Sequence, residues 1–170
     1  MIGIADRNKY RVRWYGRDKL KNKDVKLEKK IKNGWVGTKE IYRLDNFNFS
    51  SLKHFDEYFY NGFKKVPQKT LNEIKNLSPV LMNSYSRTYF RSICKKFRIT
   101  IDRSQEFYHI RKLNDNFFYK LPTNDNCIIL ELKYDVQHDV VSSEVTNFLP
   151  FPISKNSKYI NGIDYIKMLI

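Results

Sequence analysis

The chain is poor in cysteine, with two in 170 residues. Cys94 and Cys127 form no C-x-x-C pair and have no histidine at metal-ligand spacing. That argues against a disulfide scaffold and against a zinc site, and the expectation is two buried, reduced thiols. No run approaches about 18 consecutive apolar residues, so no transmembrane helix is predicted. The N-terminus lacks the apolar stretch of a signal peptide, which predicts a cytoplasmic chain. Internal repeats, long linkers and low-complexity blocks are missing too. The length then suits a single domain over 1–170, able to bury about 70% of the surface its unfolded form would expose.

Acidic residues are scarce beside basic ones, 18 against 32, for a formal net charge of +14 and a pI near 9.7. The surplus points to a polyanionic partner, and nucleic acid, acidic lipid and polyphosphate all fit it. A hydrophobic fraction of 41% and an aromatic fraction of 15%, with 12 Tyr and 12 Phe, exclude a disordered basic tail.

The pattern of residues 9–16, KYRVRWYG, is that of a β-strand. Lys9, Arg11 and Arg13 share one face, and Tyr10, Val12 and Trp14 the other. After a polar loop over 17–24, residues 25–31 read as a second strand with Glu28 and Lys30 on one face and Leu27, Lys29 and Ile31 on the other. Asn33-Gly34 marks a turn, and 35–44 reads as a third strand, or as a loop followed by one, carrying Lys39.

Leu52, Phe55, Tyr58, Phe59 and Phe63 recur at helical spacing over 50–65, and Leu71, Ile74 and Leu77 predict a second short helix after Pro67. These aromatic and aliphatic stripes are assigned to packing. Residues 79–92 return to strand composition with Tyr85, Arg87 and Tyr89 on one face. The segment 97–103, FRITIDR, sets Arg98, Thr100 and Asp102 against Phe97, Ile99 and Ile101. A further strand is expected over 106–111, with a turn at 114–116.

The segment 127–134, CIILELKY, is the strongest strand, with Ile129, Glu131 and Lys133 sharing a face. A helix capped by Asp139 is expected over 139–149 and is stopped by Pro150. A basic, hydroxyl-rich loop over 154–159 follows, then a closing apolar helix from Ile160. The economical fold class is α+β, dominated by antiparallel strands.

Cations opposite an apolar set thus recur on several strands: Arg11 and Arg13, Lys30 beside Glu28, Arg87, Arg98, and Lys133 beside Glu131. If those faces converge, they line a barrel or tunnel with positive charge and a few carboxylates. An empty ring of that kind is costly, because each desolvated ion loses several kcal/mol that like charges cannot return. A chain of phosphates in the space removes the difficulty.

In order, KYRVRWYG, LEKK, SYSRTYFRS, FRITIDR, LELKY and SKNSKY resemble the VTC domain of polyphosphate polymerases, a branch of the triphosphate tunnel metalloenzymes. The resemblance covers nearly the whole chain and implies an antiparallel β-barrel of the triphosphate-tunnel type with helices packed outside. Family members carry further N-terminal strands ahead of this region, so the resemblance implies a barrel incomplete at its N-terminus, with a true start further upstream, a truncated paralogue or a second chain completing the sheet as the alternatives.

Position by position, the resemblance implies that Arg11 and Arg13 grip nucleotide and polymer phosphates. Lys30, Arg87 and Arg98 join them as catalytic cations. Lys39, Lys133, Ser157 and Lys158 bind substrate, and Glu131 holds a divalent metal, Mn²⁺ or Mg²⁺. The implied reaction transfers the γ-phosphoryl group of ATP to a growing polyphosphate chain. The implied partners are ATP and inorganic polyphosphate, with a cytoplasmic place that other proteins can bring to a membrane. A non-catalytic polyphosphate- or nucleotide-binding remnant and a triphosphatase of the same superfamily are the alternatives. A nucleic-acid binder ranks last, because its cations and aromatics would share strand faces, whereas here they largely segregate.

Overall fold

The computed structural model describes residues 7–16, 24–33, 36–45, 62–113, 116–123 and 127–169. The chain divides into two compact units, Met1–Ser78 and Pro79–Ile170. The first holds strands β1 (Arg7–Arg13), β2 (Val25–Asn33) and β3 (Val36–Leu44) and helix α1 (Gln68–Ile74). The three strands form one antiparallel sheet in the order β1-β2-β3.

The alternation read from the sequence decides this sheet. Tyr10, Val12 and Trp14 pack against buried Val25, Leu27, Leu44, Phe63, Val66 and Ile74, which puts the apolar face on the core and the cationic face opposite. The strand expected over 9–16 is displaced, beginning at Arg7 and ending at Arg13. Lys29, on the apolar face, is buried but not unpaired. Its Nζ donates to Glu73 Oε2 on α1 at 2.6 Å, and the Tyr10 hydroxyl donates to the same oxygen at 2.5 Å. The bond to Glu73 raises the Lys29 pKa and keeps it charged, so this clasp ties the helix to the sheet.

Residues 50–61 of the helix expected over 50–65 lie outside the described residues. The part that is described, 62–66, forms a turn in which Phe63 is buried, closed by Val66 N–H donating to Phe63 O at 2.8 Å.

The second unit is built on β4 (Leu81–Arg91), β5 (Arg98–Leu113), β6 (Asn116–Lys120) and β7 (Ile129–Lys133), all antiparallel. The two strands expected over 97–103 and 106–111 are one strand of 16 residues. A bulge joins them: Ser84 opposes Glu106 but Ser86 opposes Arg103, and Ser104 adopts a φ of 51°. The extra residue resets the alternation, so Asp102 and Phe107 stand on the same side. The length of β5 lets two short strands pair along one edge, β7 with Arg98–Asp102 and β6 with the stretch from Tyr108 onward.

Helices α2 (Asp139–Asn147) and α3 (Lys158–Lys167) follow. Asp139 is not the cap of α2; its Oδ1 accepts from the Tyr134 hydroxyl at 2.9 Å, and His138 occupies the cap position without a side-chain bond. The end of the expected loop over 154–159 belongs to α3, because Ser157 caps the helix by accepting from Ile160 N–H. The inner side of α3 packs Ile163, Tyr165 and Ile166 on Phe107, Leu121 and Leu81.

Gly162 lets α3 approach the sheet this closely. A Cβ there would run into both Leu81 methyls and stand 2.9 Å from the Phe107 ring. Overpacking of that kind costs roughly 1–3 kcal/mol, and helix propensity returns about 1. Gly162→Ala is therefore expected to lower stability by about 1 kcal/mol net, visible as a fall of a few degrees in Tm.

The architecture is α+β with mostly antiparallel sheets, and among the described residues each sheet is open, so no closed barrel is formed by them. Both cysteines are free, but both are exposed rather than buried. Cys94 sits in the β4–β5 turn over 92–97 and Cys127 just ahead of β7, outside the ladder positions whose side chains face a core. No helix among the described residues is long and apolar enough to cross a membrane.

Candidate functional site

The polar face of the first sheet is almost entirely cationic. Register sets Lys9 opposite Lys30 and Lys30 opposite Lys39, Arg11 opposite Glu28, Arg7 opposite Lys32, and Arg13 opposite Lys26 and then Arg43. Nine cations therefore share this face, where the described residues set two carboxylates against them: Asp24, which pairs with Lys26 and Arg43, and Glu28. Glu28 is 5% exposed. Lys39 Nζ donates to its Oε1 at 2.6 Å and Arg11 Nε to its Oε2 at 3.0 Å, with a second bond from Arg11 Nη2; Arg13 Nη1 lies 3.6 Å away. Burial pushes the Glu28 carboxyl up, but the hydrogen bonds from Lys39 and Arg11 outweigh it and hold the pKa at about 2.

Glu28 is thus ionised at neutral pH and holds Arg11, Arg13 and Lys39 in a fixed arrangement with positive charge to spare. Lys30 makes no bond to it and stands exposed in the neighbouring row. The pKa of Lys9 is lowered, first by burial and then by Arg7 and Lys30. Repulsion among neighbouring cations is what an anion laid over this face relieves.

The second sheet repeats the device. Asp102 on β5 is fully buried. Arg87 on β4 grips it with both arms of the guanidinium, Nε to Oδ1 at 2.5 Å and Nη2 to Oδ2 at 2.7 Å, and Lys158 at the start of α3 adds Nζ to Oδ2 at 2.6 Å. The Ser157 cap starts α3 at the position that brings Lys158 over Asp102. Burial drives the Asp102 carboxyl up, but the bonds from Arg87 and Lys158 overcome it, and its pKa ends below the ordinary value. That of Arg87 is raised by the same pairing.

The Arg87 guanidinium lies 5.2 Å from the Tyr85 ring and 5.9 Å from that of Tyr89, and the Lys158 ammonium 4.8 Å from Tyr85. Cations and aromatics share this face, and the first sheet has such contacts too, with Arg13 4.9 Å from the Tyr15 ring, so the segregation expected from the sequence is only partial.

Glu131 borders this cluster. Its Oε2 accepts from the Thr100 hydroxyl at 3.4 Å and is 3.7 Å from Arg87 Nη2, while Lys133 Nζ is 3.3 Å from Oε1. No group of three His, Cys, Asp or Glu side chains gathers into a metal cage among the described residues. Glu131 is half-exposed and a single carboxylate, so a divalent cation held there would take the rest of its shell from water and phosphate oxygens.

The structure therefore gathers Arg11, Arg13 and Lys39 about one buried carboxylate, and Arg87, Lys158, Glu131 and Lys133 in and beside a cluster about another. It leaves Lys30 and Arg98 exposed on the same faces outside those clusters, and it uses Ser157 as a helix cap. The sequence assigned no role to the two organising groups, Glu28 and Asp102. Their signal was present, since each shares the strand face of a cation that the sequence singled out, Glu28 with Lys30 and Asp102 with Arg98. A comparison with protein families matches the chain to the VTC domain over residues 2–167. No curated protein matches, and no solved structure does. The match spans both compact units, and by it this chain belongs to the VTC domain family.

Proposed function

We propose that the chain is an ATP-dependent polyphosphate polymerase, acting as a single domain that transfers the γ-phosphoryl group of ATP to a growing inorganic polyphosphate chain in a basic tunnel of the triphosphate-tunnel type. The observation that carries the proposal is the cationic face of the first sheet. Nine cations on one face, set against Asp24 and the buried, ionised Glu28, suit a polymer of phosphates better than any neutral or cationic ligand.

Transfer between phosphates asks for positioning and charge neutralisation more than for covalent help. Arg11, Arg13 and Arg87 hold phosphate oxygens with guanidinium groups already oriented by Glu28 and Asp102. Lys30, Lys39, Arg98, Lys133 and Lys158 add positive charge along the chain, and Ser157 starts the helix that carries Lys158. The divalent cation, Mn²⁺ or Mg²⁺, is held on the protein side by Glu131, and when bound it offsets charge on the transferring phosphoryl group. An acceptor that is already an oxyanion needs no obligatory general base.

Incubation with ATP and Mn²⁺ followed by gel electrophoresis tests this. The expected product is a polymer ladder that Arg11→Ala and Glu131→Ala each abolish. Phosphate release without polymer would make the chain a triphosphatase, and tight polyphosphate binding without turnover would make it a binding module.

A further inference from the structure

We infer that Arg91, Arg98 and Lys133 form a separate chain-binding row on the second sheet, which takes up polyphosphate beyond the Asp102 cluster and makes Arg91 a determinant of chain-length preference. The inference rests on the polyphosphate reading above. Register sets Arg91 directly opposite Arg98, and Arg98 directly opposite Lys133. Neighbouring strands lie about 5 Å apart, so three cations fall within about 10 Å in a line across β4, β5 and β7. Alternation carries them to the side where the cluster stands, from Arg87 through Tyr89 to Arg91 and from Asp102 through Thr100 to Arg98.

The row differs from the cluster in how its charge is met. Asp102 pairs with both Arg87 and Lys158, whereas Arg91 and Arg98 are exposed and neither has an acidic partner among the described residues. Only Lys133 has one, Glu131. Like charges directly opposite each other weaken a sheet. In water that repulsion is small enough for a fold to carry, and it is relieved when an anion lies across the row. Arg98 is four strand positions from Asp102, about 13 Å along β5. A triphosphate seated at the cluster stops short of Arg98 and Arg91, and a long chain runs on past Lys133 to reach them.

The test is equilibrium binding of tripolyphosphate and of long inorganic polyphosphate to the full chain across a range of NaCl concentrations. Arg91→Gln is expected to weaken long-chain binding roughly 3- to 5-fold and to reduce its salt slope by about one, with tripolyphosphate binding unchanged. Arg91→Lys should restore most of the loss. Arg103→Gln removes the same charge from an exposed position on the opposite face of β5 and should change neither affinity. Equal weakening for both chain lengths, an equal effect of Arg103→Gln, or no effect of Arg91→Gln overturns the inference while leaving the functional reading standing. An Arg91→Gln effect confined to RNA oligonucleotides overturns it in favour of a nucleic-acid contact. Wild-type protein that binds neither polyphosphate overturns both.

Discussion

Asp102→Ala is expected to destabilise the protein by about 3–5 kcal/mol, the largest effect of any single substitution considered for this chain. Asp102 is fully buried, and its two partners are nearly so, with Arg87 side-chain exposure at 15% and that of Lys158 at 18%. Removing the carboxylate leaves two cations facing each other with little water to screen them and no acceptor for three hydrogen bonds. For a domain of this size each kcal/mol moves Tm by roughly 2–4 °C, so a fall of at least 6 °C in a thermal melt is expected. The double variant Asp102→Ala with Arg87→Ala should lose less than the two single losses added, because one of the stranded charges goes with its partner. A loss below about 1 kcal/mol in the single variant would show that the cluster is solvated in solution and does not hold Arg87 in place.

Glu28→Gln is expected to cost about 2–3 kcal/mol at neutral pH, with a characteristic dependence on pH. The folded-state pKa of Glu28 is depressed from an ordinary 4.5 to about 2. A depressed carboxyl contributes stability that is fully present above its unfolded value and disappears as pH falls through the folded value. The window is therefore from about pH 4.5 down to about pH 2. A shift of that size is worth about 3 kcal/mol, discounted somewhat because Arg11 and Lys39 are themselves half-exposed. Gln resembles the protonated acid, so the gap between variant and wild type should close as pH falls toward 2. Glu106, held at about 2 chiefly by its hydrogen bond from Lys120, titrates in the same window but is common to both proteins and cancels. Denaturant unfolding at a series of pH values measures the gap. A constant difference from pH 7 to pH 2 would mean that Glu28 acts through shape and not through charge.

Both predictions turn on carboxylates to which the sequence assigned no role, and the reason is physical. A single strand reports which residues share a face, and Arg11 and Arg13, Glu28 and Lys30, and Arg98 and Asp102 were all placed correctly on that basis. It does not report register between strands. Only the pairing of β1 with β2 and of β2 with β3 makes Glu28 the neighbour of both Arg11 and Lys39. The bulge at Ser104 was equally hidden, because one extra residue in a strand looks in sequence like a break between two. The helix start at Lys158 was misplaced because a Ser in a polar stretch serves as a loop residue or as a cap, and the choice depends on whether the following turns have a sheet to pack on. The cysteines followed the same rule: a thiol is buried by what surrounds it, and Cys94 sits on a turn.

By itself the sequence determined the α+β class, the separation of an apolar from a cationic face on the first sheet, the surplus of positive charge and the order of motifs that the VTC domain match bears out. Those properties are local or additive, carried by side-chain alternation along one strand, by net charge and by linear spacing. The tertiary structure alone decided which carboxylate holds which cation, where β5 bends its alternation, and that Arg91 stands in line with Arg98 and Lys133. Each of these depends on contacts between segments far apart in the chain, and such contacts are set by register and burial, which no single segment encodes.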